Sequence, residues 1–265
     1  MKRIVFTLAC LFASSLFAST VTLTAASINA TVSTDASTVG GGPSKHAENN
    51  DVGDLTKRSV TASAAASLPF SGVDFPVSRA QSTGSYTLSN NDRIDFSGAV
   101  DTTVYVKSSP FTGKGSADLT TDLLFNVIGG GLYQIGYQAT MSALMSTTTA
   151  LSADLTTAAG DPVFRFNQPA GTTQQLYSGG QNFFLAPGDY RLKVVASANA
   201  DAGLGAGDSA SIQYQVNLNP AQTAVVPLPP AAWSGVATIA LISIAGMRSG
   251  CSGLLPKALR RSSRA

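Results

Sequence analysis

Ala210-Ser211-Ile212-Gln213-Tyr214-Gln215-Val216-Asn217-Leu218 sets an apolar residue at every second position, with a small polar or amide residue between each pair. A period of two marks a β-strand with one face in a core and the other in water. The same alternation recurs upstream. Val100, Thr102, Val104 and Val106 alternate with Asp101, Thr103, Tyr105 and Lys107, and Leu119, Thr121, Leu123, Phe125 and Val127 mark another strand. Tyr133, Ile135, Tyr137, Ala139 and Met141 give a further one, as do Tyr190, Leu192, Val194 and Ala196. Shorter candidates are Tyr86 to Leu88, Arg93 to Phe96, Val163 to Phe166 and Phe183 to Leu185, with Gly, Asn, Asp and Pro between them. From Ser142 to Ala159 the Ala, Leu and Met content allows a short helix, whereas Thr147-Thr148-Thr149 favours a strand or loop. Eight or nine such strands predict an all-β fold, an antiparallel β-sandwich of immunoglobulin-like or jelly-roll-like type.

Phe184-Leu185-Ala186-Pro187-Gly188-Asp189-Tyr190-Arg191-Leu192 resembles the Leu-x-Pro-Gly-x-Tyr turn at the tyrosine corners of immunoglobulin-like sandwiches. The resemblance implies that Tyr190 tucks its ring into the core and bonds its hydroxyl to upstream backbone. The sandwich is expected over 68–219. Before it, 27–67 is rich in Ser, Thr, Ala, Gly and Asn with little periodicity and reads as a linker, although Val21 to Thr24 and Ile28 to Val32 alternate enough to allow a first strand. Ser116-Ala117-Asp118-Leu119-Thr120-Thr121 is echoed by Ser152-Ala153-Asp154-Leu155-Thr156-Thr157, which reads as chance or as two similar hairpin entries rather than a solenoid.

Both ends of the chain read as delivery signals. Lys2-Arg3 precede an apolar run from Ile4 to Ala13 and then small residues, so 1–26 is expected to be a secretory signal helix with its cleavage region, cut after Ala18 or Ala26. At the other end, 220–230 is a proline-rich stalk. An uncharged apolar run, 231–247, is about 25 Å long as a helix and is expected to cross the membrane once. Trp233 suits one interface, and the basic tail 248–265, with Arg248, Lys257, Arg260, Arg261 and Arg264, is expected on the cytoplasmic side.

Val226-Pro227-Leu228-Pro229-Pro230-Ala231-Ala232-Trp233, the apolar span and the basic tail resemble the PEP-CTERM sorting signal of Gram-negative bacteria in its Val-Pro-Leu-Pro variant. The resemblance covers about the last forty residues. It implies that Val226, Pro227, Leu228, Pro229 and Pro230 are read by an exosortase, a membrane enzyme processing proteins bound for the cell surface or the extracellular matrix. On that reading the body first lies in the periplasm on an inner-membrane anchor, and then at the surface or outside the cell.

Composition narrows what the body can do. Its only flanking cysteines are Cys10 and Cys251, one in the signal and one beyond the span, so the body can have neither a disulfide framework nor thiol chemistry. The single histidine, His46, falls in the expected linker, which argues against a Ser-His-Asp triad or a His-ligated zinc. Without the two ends the body has ten basic residues against fifteen acidic ones, a net of about −5, so nucleic acid is an unsuitable partner. Calcium is the one cofactor the residues allow, at Asp92 and Asp95 or at Asp201 and Asp208, where the alternative is ordinary turn chemistry. Tyr86, Tyr105, Tyr133, Tyr137 and Tyr177 are the aromatic candidates for stacking on extracellular polysaccharide. The expectation is a non-catalytic surface or matrix protein. The alternatives are a carbohydrate- or calcium-binding module and a hydrolase working with aspartates alone.

Overall fold

Two antiparallel sheets of six strands each account for the computed structural model over the residues it describes: 20–70, 73–89, 92–105, 111–144, 147–169, 174–202 and 207–221. The strands are β1 Thr20–Thr38, β2 Ser44–Gly53, β3 Ser59–Phe70, β4 Val73–Ser89, β5 Arg93–Val104 and β6 Phe111–Ile128, then β7 Gly131–Ala143, β8 Thr148–Thr157, β9 Pro162–Pro169, β10 Gln175–Leu185, β11 Gly188–Ala202 and β12 Asp208–Pro220. Sheet A runs β2-β1-β6-β11-β8-β9 and sheet B runs β10-β7-β12-β5-β4-β3. Among the described residues there is no helix. The signal residues before 20, the sorting motif, Trp233, the span and the basic tail lie outside the described residues.

The alternation works as the physics requires. Ile28, Leu119, Leu123, Phe125, Leu151 and Leu155 from sheet A face Tyr86, Phe96, Ile94, Tyr133, Ile135 and Met141 from sheet B, all of them essentially without exposure. Each such burial contributes about 1.5–3 kcal/mol, so this layer dominates the fold's stability. Two inward serines of β4 tie the sheets together, the Ser78 hydroxyl donating to the Asp35 carbonyl and that of Ser82 to the Asp118 carbonyl, each at 2.9 Å. The tyrosine corner is present: the Tyr190 hydroxyl donates to the Ala186 carbonyl at 3.0 Å, and its ring stacks on Phe125 with centroids 5.8 Å apart.

Two expectations need correction. Residues 27–67 are not a linker but β1, β2 and most of β3, so the sandwich starts at Thr20 rather than 68. Ile28, Ala30, Val32, Val60 and Ala62 are buried, and β1 pairs with β6 along nearly its full length. Small residues suffice there because the facing residues are large, whereas β2 is mostly polar and exposed and holds its place by pairing with β1. The helical option over Ser142 to Ala159 fails as well: β8 pairs with β11 over ten residues and places Leu151, Ala153 and Leu155 in the core. The echoed hexapeptides lie in β6 and β8, which flank β11 on either side; their matching aspartates, Asp118 and Asp154, oppose Ser197 and Lys193.

The two ends of the body meet at one pole. Thr20 pairs with Ile128, and the Ala221 amide donates to the Leu132 carbonyl at 2.8 Å. Ile128 and Leu132 are separated only by the turn around Gly129 and Gly130, both at positive φ, where the chain steps from sheet A to sheet B.

Candidate functional site

The outer face of sheet B dips into a trough of about 590 Å³. Its position follows from two glycines. Gly84 and Gly98 oppose each other in β4 and β5 with their missing side chains aimed inward. A Cβ at Gly98 would stand 2.4 Å from Leu119 Cδ2 and 2.7 Å from the Tyr214 ring, and one at Gly84 would stand 2.7 Å from both Leu119 methyls. The backbone of sheet B therefore sits down on Leu119 of sheet A, and the sheet is dented from outside. Such closeness is the reason for glycine in a strand interior.

Two ladders of outward side chains line the trough. Gln138, Gln215, Ser97, Ser85 and Ser59 form one, crossing β7, β12, β5, β4 and β3 in register. Thr140, Gln213, Ala99, Thr83 and Thr61 form the other. At about 4.8 Å per strand the floor is about 19 Å wide. Apart from Ala99, the ladder side chains are hydroxyls and amides, without a charge among them, and Ser85 and Ser97 already share a hydrogen bond at 2.9 Å. Charges stand at the two ends only: Arg93 donates to Asp95 at 2.8 Å on one side, and Arg79 and Asp101 border a smaller depression on the other. Under the floor lies Tyr214. Burial pushes its phenol well above the usual range, the Thr121 hydroxyl pulling weakly the other way.

The outer face of sheet A differs in kind. One row places His46, Asp35, Lys114 and Asp201 on successive strands, with His46 Nδ1 to Asp35 at 2.7 Å and Lys114 to Asp201 at 2.9 Å. Asp35 and Glu48 raise the His46 pKa, the Asp35 hydrogen bond being the larger cause. Another row sets Asp122, Lys193, Asp154 and Arg165 side by side, while Arg191 pairs with Asp122. Opposite charges alternate along both rows, so this face is charged but locally neutral.

The four metal candidates are not brought together. Asp95 sits where β5 starts and is paired with Arg93, and Asp92 is in the turn just before it. Asp208 opposes Val104 at the far end of β5, and Asp201 belongs to sheet A with Lys114 as its partner. Among the described residues no three His, Cys, Asp or Glu side chains group as a metal site would need. Asp208 is nevertheless buried with one carboxylate oxygen lacking a hydrogen bond among the described residues.

Nor do the five tyrosines form a stacking platform. Tyr86 and Tyr133 are core, and Tyr86 donates to the Asp54 carbonyl at 2.6 Å. Tyr137 packs against Phe166 and Phe164, with ring centroids 4.2 and 6.5 Å away. Tyr177 is half-buried on β10, beside Gln175. Tyr105 alone is well exposed, in the smaller depression with Arg79 and Asp101.

For acid-base chemistry the two carboxylic acids that burial pushes up are Asp101 and Asp118. They project from the outer faces of opposite sheets, so no single sugar can lie between them, whereas a glycosidase needs its pair within about 5–10 Å. The trough was missed in the sequence although Gln213 and Gln215 are visible there as the wet side of β12. What alternation cannot tell is that Gln138, Ser97 and Ser85 share their ladder, because that depends on register.

No family model matches this chain, and no curated protein matches its sequence. Among solved structures, TmCBM61 in complex with β-1,4-galactotriose is similar at 12% identity and a TM-score of 0.26, over 53% of this chain and 88% of that one. A CBM4 structure is similar at 12% identity and 0.24, over 51% and 74%. A structure of infectious bursal disease virus, Gt strain, reaches 10% identity and 0.24 over 78% and 58%. All three scores are low.

Proposed function

We propose that this is an exported, non-catalytic protein of the cell surface or extracellular matrix that holds neutral polysaccharide along the trough of sheet B. The observation that carries the reading is the trough's lining: two cross-strand ladders whose side chains, Ala99 apart, are hydroxyl and amide groups, with the charges kept to its ends. Amides and hydroxyls both donate and accept, as a sugar's hydroxyls do, and an uncharged floor exerts no pull on ions or nucleic acid. Without an aromatic ring on the floor there is no stacking, so binding is weak at each site and depends on a long polymer touching many copies.

Delivery rests on the two chain ends. A PEP-CTERM-like tail read by an exosortase anchors and then sorts the body. A cut after Ala18 keeps β1 whole, whereas a cut after Ala26 would remove Val21, which is buried against Val127.

Affinity electrophoresis of the body, residues 20–221, through gels carrying neutral or anionic polysaccharide tests the binding. Retardation by neutral polymer that disappears in the Gln138→Ala, Gln213→Ala, Gln215→Ala variant is the expected result. Equal mobility in every gel refutes the trough and leaves a surface protein that works by packing alone. Mass spectrometry of the mature C-terminus, from membrane and secreted fractions, tests the sorting: processing between the stalk and the tail is expected, and an intact tail in both fractions refutes it.

A further inference from the structure

We propose that β10 is a docking edge for a second copy of this chain, the two β10 strands pairing antiparallel about a two-fold axis at Gly180 to join both B sheets into one. A sheet edge presents unpaired backbone donors and acceptors, and proteins blunt such edges with charge, proline, bulges or cover. Three of the four edges in this sandwich are blunted. Strand β2 carries Lys45, His46, Glu48 and Asp51, and β9 has Pro162, Arg165 and Pro169. Strand β3 has a register shift between Ala66 and Ser67, and β2 side chains cover its edge: Asp51 accepts from the Thr61 amide at 2.8 Å and Asn49 donates to the Ser63 carbonyl at 3.1 Å.

Strand β10, Gln175-Leu176-Tyr177-Ser178-Gly179-Gly180-Gln181-Asn182-Phe183-Phe184-Leu185, has none of these devices among the described residues. It has no charge and no proline, and its pairing with β7 runs without a break over eleven residues. Residues 178–182 are exposed in succession, and Leu176 and Phe184 are 66% and 68% exposed.

What selects a second copy as the occupant is the symmetry of the strand. With Gly180 opposite Gly180 of the second copy, Leu176 meets its Phe184 on the outer face and Tyr177 meets its Phe183 on the inner one. Ser178 then meets Asn182. Only the outermost pair, Gln175 with Leu185, sets a polar residue against an apolar one; inside it apolar residues face apolar residues on both faces, and no like charges oppose each other, which is the self-complementarity that a two-fold contact requires. Eleven residues at about 3.4 Å make an edge about 37 Å long, and two such edges bury on the order of 1,000 Å² in total, at the low end for a specific interface. The pairing is therefore reversible, and it doubles the length of trough-bearing sheet. It does not depend on polysaccharide binding.

A charge swap on the full chain tests the register. Ser178→Lys with Asn182→Lys places lysines opposite each other twice, and Ser178→Lys with Asn182→Glu places opposite charges in the same positions. Both sites are exposed, so folding is spared, and circular dichroism verifies it. In sedimentation of the detergent-solubilised full chain, the dimer seen for the wild type weakens about tenfold or more in the lysine pair and returns in the lysine-glutamate pair. A second measurement uses Ser178→Cys with Asn182→Cys in a Cys10→Ser, Cys251→Ser chain: opposed residues lie within disulfide reach, so the double variant cross-links on oxidation and neither single variant does. A full chain that sediments as a monomer whatever stands at 178 and 182, that cross-links equally in the single variants, or that uses this edge only for a different protein, overturns the proposal.

Discussion

Replacing Gly98 by alanine should destabilise the sandwich even though alanine suits a strand better than glycine does. The added methyl would lie 2.4 Å from Leu119 Cδ2 and 2.7 Å from Tyr214 Cε1 and Cζ. Neither neighbour can withdraw easily, since Leu119 is fully buried and Tyr214 is 3% exposed. Overpacking of this kind costs about 1–3 kcal/mol. The reduced freedom of the unfolded chain returns about 0.4–1 kcal/mol, so a net loss of about 1–2 kcal/mol is expected. For a body of this size that is a fall of about 2–8 °C in Tm. Urea unfolding of residues 20–221 gives the same quantity from the midpoint, with the slope unchanged. Gly98 and Leu119 should also be coupled. Leu119→Ala alone should cost about 2–5 kcal/mol through its cavity. In that background the Gly98→Ala methyl gains room, so the double variant should be more stable than the sum of the singles by about 1 kcal/mol. An alanine at 98 that leaves stability equal or higher, or a cycle that sums without coupling, would refute the account of the dent.

Tyr190→Phe keeps the ring on Phe125 but removes the bond to the Ala186 carbonyl, and a loss of about 1 kcal/mol in urea unfolding is expected. His46 should titrate above 6.5 by NMR, since Asp35 holds its proton, and Asp35→Asn should move the midpoint down. The folded pKa is raised, so whatever stability the pair adds is present below pH 6.5 and is lost as pH rises through the folded value. Asp54 behaves in the opposite sense: hydrogen bonds from the Thr56 hydroxyl and the Lys57 and Thr56 amides hold it down at about 2, against 3.8 in the unfolded chain. Its contribution is present above 3.8 and is lost as pH falls toward 2, so the stability gap between the wild type and Asp54→Ala should close over that interval.

The architecture was legible wherever large apolar residues alternate. Strands β6, β7, β11 and β12 announce themselves because Leu, Ile, Phe, Tyr and Val occupy their inward positions. Strands β1 to β3 are less plain, because Ala30, Thr34, Ala36, Ala62 and Ala66 interrupt Val21, Ile28, Val32, Val60 and Leu68 at their inward positions, and the place of such small residues in a strand is decided by the partner across the core rather than by their own preference. Tyr190 was readable because its partner lies four residues away in sequence, a local geometry that a short motif can encode. The trough was not, because Gln138 and Gln215 become neighbours only once β7 and β12 are paired in register, and the dent beneath them needs Leu119 from the other sheet. The partners of the aspartates were hidden for a related reason: Asp95 and Asp201 sit beside turn-like stretches, and each has its own cation two residues or one strand away.

Because the first and last strands finish beside the same short turn, about one sheet spacing apart, the body is shaped like a cassette. A few residues would suffice to close it into a ring, and new ends opened at Gly40-Gly41-Gly42, where no Cβ contact restrains the first two, should leave every ladder whole. The same closeness would let it be spliced into a loop of a host protein, displayed on two short stems like a knob on a rail.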